Sequence, residues 1–352
     1  MRVLPVDTAA GWRGGQNQVL LSALGMAVRG HQVALACRAG GILEGRARSA
    51  GLDVHAFPFR GDWSPSAALG LARLTRRGQP EVVHAHDPHA LAAALVAGGP
   101  RVASRRVDFA VKGRASRWKY GRCERIIAVS EAVAAVLRRD GVATDQVRVV
   151  YEGVPTRPPQ PGGRAVLAAL GVPMTALVVG TVAALTDHKD HQTLLSAAAQ
   201  VAARVPEAHF VIVGDGDRKA ALYAQAAALG LQGRVVFAGF REDLDRLIPA
   251  FDVFCLSSKM EGLGTSLLDA MCFARPVVAT AAGGIPEAVE DGVTGRLVPV
   301  QDPAALAAAL VTVLTDPAQR ERLGTAGRRR FESRFSADRM VEATLAVYDE
   351  LR

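Results

Sequence analysis

The chain has 352 residues, of which 49% are hydrophobic and 22% are charged, and its formal net charge is +8. This length exceeds what one ordinary hydrophobic core organises, so we expect two domains of roughly 150–200 residues each. No apolar run approaches the roughly 18 residues that span a bilayer, and the N-terminus lacks the long apolar segment of a secretory signal. The four cysteines show no zinc-ligand spacing, which favours buried thiols. Composition therefore predicts a cytoplasmic protein, soluble or peripheral on a membrane.

The basic charge is concentrated in the first part of the chain. Residues 1–155 carry 22 Lys and Arg against 12 Asp and Glu, whereas residues 156–352 carry 20 against 22. The stretch 101–125 alone holds nine basic and two acidic residues, together with aromatic side chains at Phe109 and Trp118. Such a patch suits anionic lipid or acidic glycan, and an ordinary solvated surface is the alternative. No recognition helix or RNA-binding signature accompanies it, so nucleic acid is not an expected partner.

Short apolar runs alternate with helical patterns through the first 150 residues. The runs with strand character are RVLPV, QVALAC, VVHAH, RIIAVS and VRVVY, and they are separated by patterns such as QNQVLLSALGMAVR and EAVAAVLRRD. This alternation predicts βαβ units and a parallel sheet. Gly14, Gly15 and Gln16 lie where the first of the helices is expected to begin.

The stretch YEGVPTRPPQPGGR, residues 151–164, interrupts this rhythm with four prolines and three glycines and predicts an interdomain linker. A second alternating series follows, with the runs ALVVGTV, AHFVIVG, RVVFAGF, DVFCLSS and PVVAT. We therefore predict two doubly wound α/β domains, residues 1–155 and 156–335. Residues 336–352 are expected to form a helix that packs back on the first domain. Two such domains that face each other would bind ligands in a cleft, at the carboxyl ends of their strands.

The stretch EGLGTSLLD, Glu261–Asp269, follows a predicted strand and leads into a helix expected to begin near Thr265. The free N–H groups and positive dipole end of that helix form a site for phosphate. Asp269 lies about one turn, roughly 5 Å, further along, where its carboxylate can accept from two ribose hydroxyls. Glu261 lies on the other side, where a nucleotide sugar carries its sugar. The predicted donor-binding residues between them are Gly262, Leu263, Gly264, Thr265 and Ser266. The alternative is that neither acid binds a ligand. Glu261 would then be an ordinary loop residue, and the helix dipole would favour Asp269 near the N-terminus of the helix.

Taken with the rest of the chain, this stretch resembles the E-x7-E element of the retaining GT-B glycosyltransferases of family 4. The resemblance covers essentially the whole chain and is carried, in order, by GWRGGQNQVL, VVHAHDPHA, IIAVSEAVAAVL, VVYEGV, LTDHKDHQTLLSA, FVIVGDG, VVFAGFREDL, SSKMEGLGTSLLDAMCFARPVVAT and AGGIPEAVEDGVTGRLVP. It implies the GT-B fold, an α/β architecture with two facing, doubly wound, Rossmann-like domains and a central cleft. It also implies transfer of a sugar from a nucleotide-diphosphate donor, held by the C-terminal domain, to an acceptor held mainly by the N-terminal domain.

The resemblance implies roles for further residues. Lys189 matches the family's diphosphate-binding lysine, whose compact ammonium suits a phosphate. Four other positions are expected to lie near the donor: Gly214, Gly216, Phe240 and Arg241. On the acceptor side, Gly14, Gly15 and Gln16 resemble the family's glycine loop. His86 is a candidate catalytic histidine of the cleft, and a structural histidine is the alternative.

Two patterns that mimic metal sites are interpreted otherwise. Asp215-x-Asp217 is similar to the metal-binding pair of a different glycosyltransferase fold, but the glycines around it indicate a turn. His84, His86 and His89 would have to share one face, which a strand-to-helix bend disfavours. We therefore predict no metal site and no cofactor other than the nucleotide sugar that serves as co-substrate.

Three positions depart from the family's pattern. The usual G-R-L reads Ala183–Leu185, so the diphosphate-binding arginine is absent. Asp269 replaces the second glutamate and is one methylene shorter. The family's first-domain histidine is replaced by Arg105 or Arg106 within ASRRVDF. We hypothesise that one of these guanidinium groups supplies the missing charge to the diphosphate.

Together these patterns predict a metal-independent, retaining hexosyl- or heptosyltransferase of lipopolysaccharide or other cell-envelope glycan biosynthesis, acting on a glycan or lipid-linked acceptor at the inner face of the plasma membrane. Glu261 would orient the donor sugar and Lys189 would stabilise the leaving diphosphate. Two alternatives stay open: a non-catalytic nucleotide-sugar-binding GT-B protein and a GT-B nucleotide-sugar 2-epimerase. An NAD-dependent Rossmann enzyme is disfavoured because no G-x-G-x-x-G follows the first strand.

Overall fold

The structure is a computed structural model that describes residues 1–59, 64–111 and 113–352. The described chain divides into two compact units, each built around its own parallel sheet. The first unit comprises Met1–Pro155 together with Ser336–Arg352, and the second comprises Thr156–Phe335.

The first unit contains a seven-stranded, all-parallel sheet in the order β3-β2-β1-β4-β5-β6-β7. Its strands are β1 (Arg2–Asp7), β2 (Gln32–Arg38), β3 (Asp53–Phe57), β4 (Val82–Ala85), β5 (Arg101–Arg105), β6 (Arg125–Ala128) and β7 (Val147–Val149). Its helices up to this point of the chain are α1 (Gly14–Val28), α2 (Ile42–Ser49), α3 (Pro65–Gly78), α4 (Pro88–Ala94), α5 (Arg114–Tyr120) and α6 (Glu131–Arg139). The strand order reverses between β1 and β4, which is where ligands of such sheets bind.

The apolar runs of these strands are continuous because both faces of the sheet are covered. Successive residues of a strand point to opposite faces, and Val3 and Leu4 of β1 accordingly pack into different hydrophobic clusters. Ile126 and Ile127 of β6 are divided between the same two clusters. Burial on both faces is typical of parallel sheets with helices on either side.

The second unit contains a six-stranded, all-parallel sheet in the order β10-β9-β8-β11-β12-β13. Its strands are β8 (Leu177–Val182), β9 (Ala208–Val213), β10 (Val235–Gly239), β11 (Val253–Leu256), β12 (Val277–Thr280) and β13 (Gly295–Val298). Its helices are α7 (Gly163–Ala169), α8 (His191–Ala202), α9 (Lys219–Ala228), α10 (Leu244–Leu247), α11 (Thr265–Cys272), α12 (Ile285–Ala288), α13 (Pro303–Thr315) and α14 (Pro317–Arg334). The strand order reverses between β8 and β11, so this unit is also doubly wound, as the sequence predicted.

The last helix, α15 (Ala337–Asp349), belongs to the first unit. A parallel bridge between Val154 and Ser336 returns the chain to that unit. Helix α15 packs against α1, and Tyr348, which is fully buried, makes a 2.6 Å hydrogen bond to Nδ1 of His84. Among the described residues, no helix has both the length and the hydropathy required to cross a bilayer.

Candidate functional site

An ion pair lies at the point where the strand order of the second unit reverses. Glu261, in the loop between β11 and α11, pairs with the ammonium of Lys189, which ends a 3-10 turn after the neighbouring strand β8. The hydroxyl of Ser258 donates to the same oxygen of Glu261, Oε2, at 3.2 Å. The side chains of Lys189 and Glu261 are only 17% and 13% exposed. The structure therefore brings together the two residues that the sequence predicted to act on the sugar and the diphosphate.

The glycine-rich loop beside this pair leads directly into α11. The helix begins at Thr265, and its N-cap residue Gly264 has a φ of +90°, in the left-handed region that favours glycine. A glycine has no side chain to accept from the first N–H groups of the helix. The N–H of Leu267 donates to the carbonyl oxygen of Gly264 at 2.9 Å, which leaves the N–H groups of Thr265 and Ser266 for a ligand. Gly262 and Leu263 are buried, whereas Thr265 and Ser266 are partly exposed. This arrangement is suited to an anion, with Lys189 close by.

Asp269 follows one turn into α11, and an arginine contacts it. Nη2 of Arg157 donates to Oδ1 of Asp269, and Nη1 of Arg157 lies 3.0 Å from Oδ1 of Asp245 on α10. Burial raises the pKa of Asp269 to about 6, while Arg157 opposes that rise and the carboxylate of Asp245 adds to it. The sequence predicted Asp269 to have its whole carboxylate available for ribose hydroxyls. In the structure Oδ1 is already engaged by Arg157, and the ribose-binding role of Asp269 stays a prediction.

The glycines Gly214 and Gly216 are explained by packing between two loops. A Cβ at Gly214 would lie 2.0 Å from the carbonyl oxygen of Ala183, and one at Gly216 would lie 2.4 Å from that of Leu185. The loop after β9 therefore packs closely on the loop Ala183–Leu185 after β8. Both loops lie at the carboxyl edge of the sheet, so their backbone borders the region of Lys189.

Phe240 and Arg241 follow β10 at the same edge. The side chain of Phe240 is 61% exposed, which leaves an aromatic surface open to a ligand. Arg241 is held by Asp243 through two hydrogen bonds of 2.8 and 2.7 Å. The hydrogen bonds to Asp243 raise the pKa of Arg241, so its charge is matched within the loop.

The pattern Asp215-x-Asp217 lies in the loop after β9, where a turn begins at Asp217. Oδ1 of Asp215 accepts from the N–H of Gly216 at 2.9 Å and lies 3.6 Å from the ammonium of Lys219. Within residues 1–59, 64–111 and 113–352, no group of three His, Cys, Asp or Glu side chains is arranged to hold a metal ion. Independence from metal stays a prediction.

In the first unit, a polar cluster centred on Arg106 lies just beyond the end of β5. Nε of Arg106 donates to Oε1 of Glu152 at 3.0 Å. Nη1 of Arg106 donates to the carbonyl oxygen of His86 at 3.0 Å, and Nη2 donates to Nδ1 of His86 at 3.0 Å. Its side chain is 16% exposed. A Cβ on Gly15 would lie 3.8 Å from Cδ of Arg106, so the start of α1 borders this cluster.

The sequence left His86 either as a catalytic histidine of the cleft or as a structural histidine. It is 6% exposed, and burial lowers its pKa well below the usual value, with further lowering from His84 and Arg106. Because Nδ1 accepts from Arg106, the proton of the neutral ring is on Nε2. Nε2 is buried and has no hydrogen-bond partner among the described residues. His86 is thus a buried, neutral group, and its catalytic role stays a prediction.

The structure distinguishes the two candidate arginines of the first unit. Arg105 is 9% exposed, and its guanidinium is held by the carbonyl oxygen of Phe109 and the hydroxyl of Tyr120. It is therefore a structural residue and does not fit the diphosphate role considered for it. Arg106 remains the candidate, although Glu152 already matches its charge.

Gln16 of α1 lies near this cluster and makes two hydrogen bonds that the sequence did not predict. Its Nε2 donates to Oδ2 of Asp7 at 3.2 Å, and its Oε1 accepts from the N–H of Arg13 at 3.2 Å. Burial raises the pKa of Asp7 to about 6, and Asp87 adds to the rise. Beside them is a cavity of about 330 Å³. It is lined by Thr8, Ala9, Arg38, Phe59, Asp87 and His89.

Sequence reasoning did not find four residues that complete these clusters: Asp7, Glu152, Arg157 and Asp245. Arg157 lies in the proline-rich stretch that was predicted to be a linker. Its two acidic partners, Asp245 and Asp269, are distant in sequence. Asp7 ends a strand, a position from which parallel sheets present ligand-binding residues. Glu152 lies within the motif VVYEGV that carries the family resemblance, so the sequence offered a signal for these two of the four residues.

Comparison with known proteins gives matches over both units. The family profile described as Glycosyltransferase Family 4 matches residues 12–157, and the profile described as Glycosyl transferases group 1 matches residues 166–330. The chain is 32% identical over 309 residues to the alpha-maltose-1-phosphate synthase of Mycolicibacterium smegmatis, which covers 81% of this chain and 76% of that protein.

Two other curated relatives match over a shorter region. The chain is 32% identical over 180 residues to the lipopolysaccharide core biosynthesis glycosyltransferase LpsE of Rhizobium meliloti, covering 51% of this chain and 52% of that one. It is 34% identical over 227 residues to the D-inositol 3-phosphate glycosyltransferase of Saccharomonospora viridis, covering 61% and 52%. The chain thus spans about half the length of these two relatives.

Solved structures with the same fold cover the whole chain. HepE of Anabaena in complex with UDP-glucose has a TM-score of 0.87 at 24% identity, covering 99% of this chain and 100% of that one. A glycosyltransferase from Rickettsia africae has a TM-score of 0.87 at 19% identity, covering 99% and 98%. At these identities the likeness establishes the fold alone.

Proposed function

Because the chain belongs to the family 4, group 1 glycosyltransferases of the GT-B fold, we propose that it moves a sugar from a nucleotide-diphosphate sugar to a glycan or lipid-linked acceptor. The observation that carries the proposal is the pair of Lys189 and Glu261 beside the uncapped start of α11. The proposed transfer retains the configuration of the anomeric carbon and needs no metal ion.

The geometry supports a division of labour at the donor. A diphosphate that binds the first N–H groups of α11 would attract the ammonium of Lys189, since a compact cation suits a phosphate. The carboxylate of Glu261 would then accept hydrogen bonds from hydroxyls of the donor sugar in place of its contact with Lys189. In the reaction, the bond between the anomeric carbon and the phosphate oxygen breaks and a bond to the acceptor oxygen forms on the same face. The acceptor's proton passes to the leaving diphosphate, whose charge Lys189 stabilises.

Two observations bear on the nature of the acceptor. The lipopolysaccharide core enzyme LpsE is among the relatives, which supports a cell-envelope glycan as the product. Helix α5 exposes Arg114, Arg117 and Trp118, and Trp118 is 55% exposed. Basic and aromatic side chains together suit the surface of an anionic membrane. On this proposal the protein works in the cytoplasm, at the inner face of the plasma membrane.

A screen of UDP-, GDP- and ADP-sugars by thermal unfolding tests the donor class. A ligand at 100 times its Kd stabilises the native state by about 2.7 kcal/mol, so one nucleotide series should raise the melting temperature. Lys189→Met should lose most of this shift. Lys219→Met removes a lysine whose side chain is 47% exposed in the same unit and should keep the shift.

The nucleotide sugar that binds is then incubated with the protein and candidate acceptors. Transfer to an acceptor, or slow hydrolysis of the donor, supports the proposal. Binding with neither reaction would indicate a non-catalytic protein, and interconversion of UDP-GlcNAc and UDP-ManNAc would indicate an epimerase. No stabilisation by any nucleotide sugar would contradict the proposal as a whole.

A further inference from the structure

Arg157 lies in the proline-rich stretch at the start of the second unit, where no motif predicts a functional residue. We propose that Arg157 is a positioning residue of the donor site, which holds Asp269 as a carboxylate and directs its remaining oxygen to one hydroxyl of the nucleotide ribose. The inference rests on the proposed function, since it assumes that a nucleotide binds beside α11.

The guanidinium of Arg157 joins two acids from two different helices. Nη2 donates to Oδ1 of Asp269 on α11, and Nη1 lies 3.0 Å from Oδ1 of Asp245 on α10. The planar fork of an arginine can hold two carboxylates in fixed directions, which the point charge of a lysine cannot do. The ring of Phe273 lies 5.8 Å from the guanidinium carbon and limits its movement. Arg157 therefore fixes the side-chain direction of Asp269.

This arrangement leaves one oxygen of Asp269 for a ligand. Oδ1 is bound by Arg157, and no hydrogen bond from the described residues reaches Oδ2. The side chain of Asp269 is 16% exposed, so this oxygen is accessible over a small area. A carboxylate with both oxygens open could accept from both ribose hydroxyls. Asp269, with Oδ1 engaged, is expected to bind one of them strongly.

The charges around Asp269 make its ionisation depend on Arg157. Burial raises the pKa of Asp269 to about 6, Arg157 lowers it, and Asp245 raises it. On the side of α14, Arg328 donates to the carbonyl oxygen of Cys272, one turn further along α11. A protonated carboxyl group is a poorer acceptor than a carboxylate. Loss of Arg157 should therefore weaken ribose binding near neutral pH.

The first experiment measures the Kd of UDP, GDP and ADP between pH 5 and 8 by calorimetry. In the wild-type protein the nucleotide that binds should lose affinity as the pH falls through about 6. Arg157→Met should weaken binding about ten-fold or more at pH 7 and move the midpoint of this loss to higher pH. Arg157→Lys, which keeps the charge, should lie between the two proteins.

Two further variants are measured in the same way: Asp245→Asn as a second test and Arg296→Met as a matched control. Asp245→Asn removes the acid that raises the pKa of Asp269, so it should move the midpoint to lower pH even if Arg157→Met does not fold. Arg296 pairs with Asp291 at 3.1 Å in the same unit and has a similarly exposed side chain, 35% against 30% for Arg157. Arg296→Met should leave both the affinity and the midpoint unchanged.

The second experiment compares 2′-deoxy and 3′-deoxy forms of the same nucleotide. One of the two deletions should weaken binding about ten-fold while the other has little effect, and Asp269→Asn should remove the difference. Unchanged affinity and midpoint in both Arg157→Met and Asp245→Asn would overturn the inference but leave the proposed function intact. If the wild-type protein binds none of the three nucleotides, both the inference and the proposed function fail.

Discussion

At the scale of single residues, the chemistry of the second unit follows from the buried pair of Lys189 and Glu261. Two charges withdrawn from water are costly unless each has a partner, and here each is the other's partner. A phosphate that replaced Glu261 at the ammonium would keep Lys189 paired. Hydroxyl groups of a bound sugar would in turn satisfy Glu261. The pair can thus exchange its internal contact for a ligand without leaving an isolated charge.

Glu261→Gln tests this exchange. The variant is expected to keep or strengthen nucleotide-sugar binding, because the phosphate no longer has to displace a carboxylate from the ammonium of Lys189. Its turnover should fall about 10- to 100-fold, since a neutral amide makes weaker hydrogen bonds to the sugar hydroxyls. Calorimetry and steady-state kinetics measure the two effects separately. Wild-type kcat in the variant would count against a role for Glu261 in the reaction.

Asp7 provides a prediction for the stability of the first unit. Burial and the nearby Asp87 raise its pKa from 3.8 to about 6, against the lowering effect of hydrogen bonds from Ala9 and Gln16. The pKa is therefore higher in the folded state than in the unfolded state. Folding takes up a proton between pH 4 and 6, so this carboxyl group lowers stability as the pH rises through that window.

Asp7→Asn removes the titration. The stability of the variant relative to the wild type should rise between pH 4 and 6 and then stay constant, whatever fixed offset its altered hydrogen bonds cause. Urea unfolding at pH 4, 5, 6 and 7, followed by circular dichroism, gives this difference. A difference that does not change with pH would show that Asp7 has an ordinary pKa.

At the scale of elements, α5 is a surface helix whose exposed side chains include two arginines and a tryptophan. Arg114 and Arg117 are exposed, and Arg122 follows the helix with its guanidinium carbon 5.2 Å from the ring centre of Trp118. The predicted patch 101–125 includes one position, Lys112, that lies outside the described residues. Each basic residue near an anionic membrane contributes about 1 kcal/mol to binding, so this helix supplies enough charge for a measurable effect.

Replacement of Arg114, Arg117 and Lys119 by Ser tests the membrane proposal. The wild-type protein should sediment with vesicles that contain anionic lipid and not with neutral vesicles. Three lost charges should weaken that binding about 100-fold, while nucleotide-sugar binding should be unaffected. Binding should also fall in 1 M salt, where screening acts over roughly 3 Å. Equal sedimentation with neutral and anionic vesicles would contradict the proposal.

At the scale of the whole molecule, the chain leaves its first unit once and returns to it at the end. Helix α15 covers α1, and its Tyr348 forms the 2.6 Å hydrogen bond to His84, whose other ring nitrogen contacts Ser104 at 2.8 Å. Burial lowers the pKa of His84 to about 3, so the ring is neutral. Helix α15 therefore contributes to the core of the first unit through Met340, Val341, Val347 and Tyr348.

Tyr348→Phe removes the hydroxyl and leaves Nδ1 of His84 buried without that partner. Loss of one partner from a buried hydrogen bond costs about 1–3 kcal/mol. Hydrogen exchange should therefore show faster exchange in α1 and α15 and unchanged protection in β8, β9 and β11. Unchanged protection of α1 in the variant would mean that this hydrogen bond does not stabilise the first unit.

The sequence by itself determined the elements and the fold class. Short continuous apolar runs indicate strands buried on both faces, and apolar residues at helical spacing indicate helices, which is why their alternation along the chain predicted two doubly wound sheets. It also placed the start of α11 at Thr265 and the two acids Glu261 and Asp269 on either side of it. Loops, glycines and helix starts are encoded within a few neighbouring residues, so these features could be read directly.

The tertiary structure alone decided which side chains meet. Arg157 and Asp269 are 112 residues apart, and Arg106 and Glu152 are 46 apart, so no local pattern could pair them. Arg105 and Arg106 are the same residue type in adjacent positions, yet one is buried against Phe109 and the other contacts His86. Successive residues at the end of a strand point in opposite directions. The helices that cover each face of the sheet decide which of the two side chains packs into the core and which joins a polar cluster.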